Sequence, residues 1–332
     1  MDLFSPAIDP SQMHANFRRL LDPDSQPDRM VLSEWATGFI DRDGKFVREF
    51  QTSFNPCFWE LYVFACCKEL QFNVNFGYPR PDFVIDNFLS EFCIEAVIAS
   101  NAMGETAEWE RDLNAPFNAE EVLDTAVIRL SNAIKSKHEK YLNDYQKLPQ
   151  VIGRPFVLAV GPFEQPHFWA HNDHAIRQVL YGYDRKDSNG NHIFRKEIKK
   201  PSGATIELGV FTSSRVEEIS AIVFSNTATM SKVHALQRAF VETTFFSALR
   251  YNHHGSEPFL QNADKAHYQE SLLDGLYVFH NPKALHPLGS KCFGCDDICQ
   301  GTLLGDDPVP KYACKHGHLI QRSSVRIRAR PD

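Results

Sequence analysis

Asp82 and Glu95 sit in neighbouring short apolar runs, Pro81-Asp82-Phe83-Val84-Ile85 and Phe92-Cys93-Ile94-Glu95-Ala96-Val97-Ile98. An acid in such a run needs a counter-charge, a proton or a metal. A four-residue hairpin loop from Asn87 to Ser90 would set Asp86 opposite Glu91, Val84 opposite Cys93 and Asp82 opposite Glu95. Opposed side chains on an antiparallel pair lie about 4.5–5.5 Å apart at Cβ. Two carboxylates at that spacing, among Phe, Val and Ile, repel unless one is protonated or a cation lies between them, so the pattern predicts a divalent-metal site. Each acid also has an ordinary reading. Asp82 after Pro81 suits a turn or strand entry, and Glu95 would fit a structural ion pair to Arg80 or Arg154.

The same alternation says what must position these acids. Asp82, Val84, Asp86, Glu91, Cys93, Glu95 and Val97 share one face of the hairpin, while Phe83, Ile85, Ile94, Ala96 and Ile98 point into core. Upstream, Phe54 to Cys67 reads as a helix capped by Asn55 with Pro56 at its first position, apolar almost all round and therefore buried. Glu60 is the only acid within it, which makes it a third candidate ligand unless it lies on the helix surface. From about Glu120 to Asn143 the residues Leu123, Val127, Leu130, Ile134 and Tyr141 form one helical stripe. Lys137 fills the stripe's missing position, where a lysine either serves a site or snorkels; Lys135 and Lys140 fall off the stripe and are expected in solvent.

A helix with Glu60, a strand, a strand entered at Pro81-Asp82, and a strand with Glu95 resemble, in that order, the PD-(D/E)xK nuclease superfamily, over roughly Phe54 to Val160. The resemblance implies a restriction-endonuclease-like core in which Asp82, Glu95 and the Ala96 carbonyl bind Mg²⁺ or Mn²⁺ and Glu60 completes the shell. The family's lysine, two residues after the second acid, is replaced here by Val97. Lys137 is the expected substitute, because Lys137-x-x-x-Tyr141 is similar to the Gln-x-x-x-Tyr pattern on this helix in exonuclease-like members, which also marks Tyr141 as a catalytic candidate.

The chain has 332 residues, 43% hydrophobic and 12% aromatic, enough for a sizeable core. Residues 1–21 hold no apolar stretch of signal or membrane-span length, and Cys57, Cys66 and Cys67 in the buried helix and Cys93 in a strand suit reduced thiols, so a cytoplasmic protein is expected. The net charge of −7 argues against a generic nucleic-acid coat. Two basic regions stand out nonetheless: Arg185-Lys186 with Arg195-Lys196 and Lys199-Lys200, expected as the rim of one long hairpin, and Lys311, Lys315, Arg322, Arg326, Arg328 and Arg330. Either suits a phosphate backbone or plain solvent.

Three segments are expected: a small subdomain at 1–50, with a hairpin turn at Arg42-Asp43-Gly44-Lys45; a nuclease-like core with additions at 51–285; and a basic Cys/His segment at 286–332. In the last, Cys292, Cys295, Cys299 and Cys314 suggest a structural Zn²⁺ site, with His316 or His318 as alternatives to Cys299. His167, His171, His174, His253 and His254 are expected as surface or turn residues. No phosphate-binding Gly-rich loop and no Gly-x-Ser-x-Gly elbow occurs. Together these features predict an α/β protein with a mixed central sheet flanked by helices, acting as a Mg²⁺- or Mn²⁺-dependent nuclease on DNA. The rival is a catalytically silent nuclease-like domain that binds nucleic acid or a partner protein.

Overall fold

A computed structural model describes residues 1–86, 90–110, 117–238, 243–255 and 257–327. Three short helices, α1 (Ala15–Leu20), α2 (Gln26–Ala36) and α3 (Phe46–Thr52), precede the long buried helix α4 (Asn55–Glu69). Then come β1 (Val74–Asn75), β2 (Phe83–Asp86), β3 (Glu91–Ser100), the 25-residue helix α5 (Ala119–Asn143), β4 (Phe156–Phe163) and α6 (His174–Tyr181). Two small hairpins follow, β5 (Tyr183–Lys186) with β6 (His192–Phe194) and β7 (Glu197–Lys199) with β8 (Thr205–Glu207). The remainder is β9 (Ala221–Phe224), α7 (Met230–Leu236), β10 (Thr243–Arg250), β11 (Phe259–Asp264), β12 (Leu276–His280), β13 (Ile298–Thr302), β14 (Lys311–Ala313) and β15 (Leu319–Ile327).

Eight strands form one mixed sheet in the order β1-β2-β3-β4-β9-β12-β13-β14. The pairs β3/β4, β4/β9 and β12/β13 are parallel; the others are antiparallel. Every residue of β4 is buried, as an apolar strand covered on both faces must be. One face carries α4, with Phe58, Trp59 and Phe64 packed against Phe83, Ile94 and Val157. The other carries α5 and α6, with Leu130, Ile134 and Ile176 packed against Val84, Cys93 and Leu158. Trp59 lies so close to β4 that its indole N–H donates to the Ala159 carbonyl at 2.8 Å. At Gly161 any Cβ would stand 2.7 Å from that indole, which is why glycine is required there. β10, β11 and β15 form a separate three-stranded sheet. No described helix is long and apolar enough to cross a membrane.

Several expectations need correction. The expected subdomain at 1–50 packs into the same core as α4 through Phe17, Leu32, Trp35 and Phe50. Residues 42–44 do not turn a hairpin: Asp41 accepts the amide hydrogens of Lys45 and Phe46 at 3.2 and 3.1 Å, and the chain enters α3. Asn55 does not cap α4. The N-cap is Phe54, at φ 42° and with no side-chain cap. The amide of Asn55 donates instead to Glu108 at 3.0 Å. The basic hairpin expected after residue 183 is two hairpins, because Gly203 turns the chain a second time.

Candidate active site

The β2–β3 hairpin sets the geometry. Asp86 pairs with Glu91, Val84 with Cys93 and Phe83 with Ile94, the expected register; the loop tip at 87–89 lies outside the described residues. Continuing that register places Asp82 opposite Glu95, although β2 itself begins at Phe83. Asp82 therefore stands where the ladder ends, and its Oδ2 accepts the Ala96 amide hydrogen at 2.8 Å in place of a partner strand. The turn before it is pinned from two sides. Arg42 Nη1 donates to the Tyr78 and Pro81 carbonyls at 2.6 and 3.2 Å, and Gln150 Nε2 donates to the Arg80 carbonyl at 2.6 Å.

Glu95, only 2% exposed in the middle of β3, points toward α5. Its Oε1 accepts from Lys137 Nζ at 2.5 Å, Tyr145 Oη at 2.9 Å and Lys140 Nζ at 3.3 Å. Its Oε2 is buried with no hydrogen-bond partner, an arrangement costly for a carboxylate. Burial, followed by the charge of Glu95, pushes the Asp82 carboxyl up to about 7, against the pull of the Ala96 amide, Lys137 and Arg42. Burial and then Asp82 push Glu60, on α4, up to about 8; Glu95 adds to this and Arg42 opposes it. Glu60, Asp82 and Glu95 thus lie within one another's fields, with Lys137 on Glu95 and acting on Asp82, and Arg42 acting on Glu60 and Asp82.

Other assignments come out differently. Lys140 is not a solvated bystander: three residues beyond Lys137 it lies on the same helix face, and its ammonium also sits 4.8 Å from the Tyr145 ring centre. Lys135 does face solvent, weakly paired with Glu139 at 3.9 Å. Tyr141 packs its ring on Phe156 at 4.7 Å, and it is Tyr145 that reaches Glu95. Tyr145 lies past the end of α5, in a 3₁₀ turn outside the helical stripe. Arg154 pairs with Asp86 and Glu91, each at 2.9 Å, and not with Glu95.

Among the described residues no three His, Cys, Asp or Glu side chains form a group preassembled to hold a metal ion. This holds for Glu60, Asp82 and Glu95, expected to hold Mg²⁺ or Mn²⁺, as well as for the expected zinc site. Cys299 in β13 and Cys314, just after β14, are joined as a disulfide, while Cys57, Cys66, Cys67 and Cys93 are free thiols. Cys299 and Cys314 lie against the α5 face of the sheet, whereas Cys292 and Cys295 pack on the α4 face, so the four sulfurs cannot converge on one ion. His318 is buried with its Nδ1 on the Asp297 carbonyl at 3.2 Å. The carboxyl-terminal basic residues are likewise engaged internally: Lys311 with Asp307, Lys315 with Asp297, Arg322 with Glu270 and Arg326 with Asp28. Arg328 and Arg330 lie outside the described residues. Of the histidines expected at the surface, His171 is buried against Glu164 at 3.1 Å and His174 bonds Asp184 at 2.7 Å.

No family model, curated protein or solved structure matches the chain.

Proposed function

We propose that this protein is a divalent-metal-dependent nuclease that hydrolyses phosphodiester bonds, with DNA as substrate, working in the cytoplasm. The observation that carries the reading is that half-buried Asp82 stands beside buried Glu95, which Lys137 contacts, with Glu60 within the field of both acids and Glu95 Oε2 left without a donor. An orphaned carboxylate oxygen beside two carboxyls driven toward protonation is a set of hard oxygen donors short of positive charge, which fits Mg²⁺ or Mn²⁺. The order α4-β1-β2-β3-α5-β4, with β3 and β4 parallel across α5, also supports the reading, since the resemblance implies a core in that order.

Asp82 and Glu95 would hold the ion, with Glu60 completing the shell. The Ala96 carbonyl is a further candidate, because a strand residue's N–H and C=O face the same neighbour and the Ala96 N–H faces Asp82. Such an ion, when bound, supplies a lowered water pKa and charge neutralisation at the phosphate. The chain's own residues do the positioning. The Ala96 amide fixes Asp82 Oδ2, while Tyr145 and Lys140 hold Glu95 Oε1 and so leave Oε2 as its open donor. Lys137 takes the part of the lysine missing at Val97, orienting the attacking water or accepting its proton.

The test is cleavage of single-stranded, duplex and branched DNA and of RNA by the purified protein with Mg²⁺ or Mn²⁺. Cleavage is expected, and Asp82→Ala or Glu95→Ala should abolish it. A wild-type protein inert toward all substrates would favour the silent binding domain, a reading that Val97 and the 2.5 Å Lys137–Glu95 ion pair keep in play.

A further inference from the structure

Around α5, about 100° from the face that carries Lys137, a second feature is built. Ser131, Ile134, Lys135 and His138 recur at helical spacing and form one wall of a cavity of about 430 Å³, closed on the other side by the β7–β8 hairpin and the turn after it. That volume falls within the roughly 300–1,000 Å³ of pockets that take small organic ligands. Its floor is apolar, made by Ile134, Val179, Ile206, Val210 and Val216. Into this floor comes one unsatisfied polar group: Ser131 is 8% exposed and its Oγ has no hydrogen-bond partner. A buried hydroxyl without a partner is costly in a closed core, and a serine facing an apolar cavity invites a ligand atom.

The charges at the mouth say which ligand. Arg215 is ion-paired with Glu207, Lys135 faces Glu139, and His138 Nε2 lies 2.8 Å from Glu218. Lys200 is the exception, its half-buried ammonium donating only to the neutral amide oxygen of Asn132 at 3.0 Å. We infer that this cavity binds an apolar monocarboxylate, its hydrocarbon body on the Val179–Ile206 floor, its carboxylate on Lys200 and a polar atom within reach of Ser131. The site is independent of the nuclease reading. It shares only the helix α5 with it.

The probe is 8-anilinonaphthalene-1-sulfonate, an apolar monoanion whose fluorescence rises on burial, titrated into the full chain. One saturable site per chain is expected. Ile206→Trp, which fills the cavity from the exposed hairpin, should remove it, and Lys200→Gln should weaken it about tenfold, as loss of one charge-assisted hydrogen bond would. If Ile206→Trp does not fold, Lys200→Gln at the rim still decides. Displacement of the probe by decanoate would assign an aliphatic acid, and displacement by indole-3-acetate an aromatic one. Failure of both to displace it, or binding indifferent to Lys200→Gln, would overturn the inference. A nuclease assay enters none of these outcomes, so the two proposals fail separately.

Discussion

Two of the buried charge clusters among the described residues are wired in opposite ways. Between α7, β12 and β15, the side chain of Glu270 is buried with those of the cations Lys232 and Arg322. Arg322 Nη1 reaches Glu270 Oε1 and Oε2 at 2.9 and 3.2 Å, and Tyr268 donates to Oε2 at 2.7 Å. Asp274 receives Arg250 on one oxygen at 2.7 Å and the Leu319 amide on the other at 2.8 Å. Burial works against the ionised Asp274, yet Lys232 and Arg250 outweigh it and hold the carboxyl below its usual range. Every carboxylate oxygen in that cluster has a donor. At the β2–β3–α5 edge the balance is reversed: three donors crowd Glu95 Oε1, Oε2 has none, and Asp82 and Glu60 are pushed toward protonation. A cluster whose carboxylate oxygens are all matched by donors belongs to folding. An open one is what a site awaiting a ligand looks like.

If the contrast is right, mutations in the two clusters should separate activity from stability. The largest effect is expected for Asp82→Ala and Glu95→Ala, which should remove metal-dependent cleavage below detection while the melting temperature stays near that of the wild type. Lys137→Ala should come next, with a loss of roughly 10²–10⁴-fold in cleavage rate, the range for a positioned proton-transfer group. The fold should survive, since Lys140 and Tyr145 still hold Glu95. Unchanged cleavage in that variant would shift the role to Lys140.

Glu270→Gln should do the opposite. It leaves Lys232 and Arg322 buried without their nearest counter-charge, a change that costs about 3–5 kcal/mol, readable by denaturant melts. An equally stable Glu270→Gln protein would break the comparison from the structural side.

Much of the open cluster could be read from the sequence, because strand alternation has a strict period and a one-residue slip would have moved Asp82 and Glu95 off their shared face. Lys137 was legible for a related reason, being a cation on an otherwise apolar helical stripe. Lys140 was not, since a strict stripe treats position i+3 as off-face although a long side chain at that position still reaches the same carboxylate. Tyr145 lies beyond the end of α5, in a 3₁₀ turn that periodicity does not extend to. The zinc expectation failed because spacing along the chain does not say which face of a sheet a cysteine takes. Cys295 and Cys299 are four residues apart and lie on opposite faces. The closed cluster was invisible in advance, since Lys232, Glu270 and Arg322 come together from distant segments without a local pattern.

A smaller effect should appear in the pH dependence of stability. Asp82 and Glu60 titrate higher in the folded chain than their unfolded values of 3.8 and 4.5, so folding takes up protons there. Their contribution to stability is therefore greatest at low pH and is lost as pH rises from about 4 through about 7–8. Asp82→Asn keeps an acceptor for the Ala96 amide but cannot ionise. It should gain about 1–2 kcal/mol over the wild type at pH 8 and nothing at pH 4, as measured by paired denaturant melts. A difference independent of pH would mean that Asp82 does not carry the strain assigned to it.

The central claim is that the unmatched negative charge of Glu60, Asp82 and Glu95 exists to hold a divalent cation. It is tested most directly by calorimetric titration of Mn²⁺ into the wild-type protein and into Glu95→Gln at pH 8, above the value to which Asp82 is raised and level with that of Glu60. The account predicts saturable binding of one or two ions per wild-type chain, lost or strongly weakened in Glu95→Gln. Wild-type protein that binds no Mn²⁺, or Glu95→Gln that binds it equally well, would contradict it.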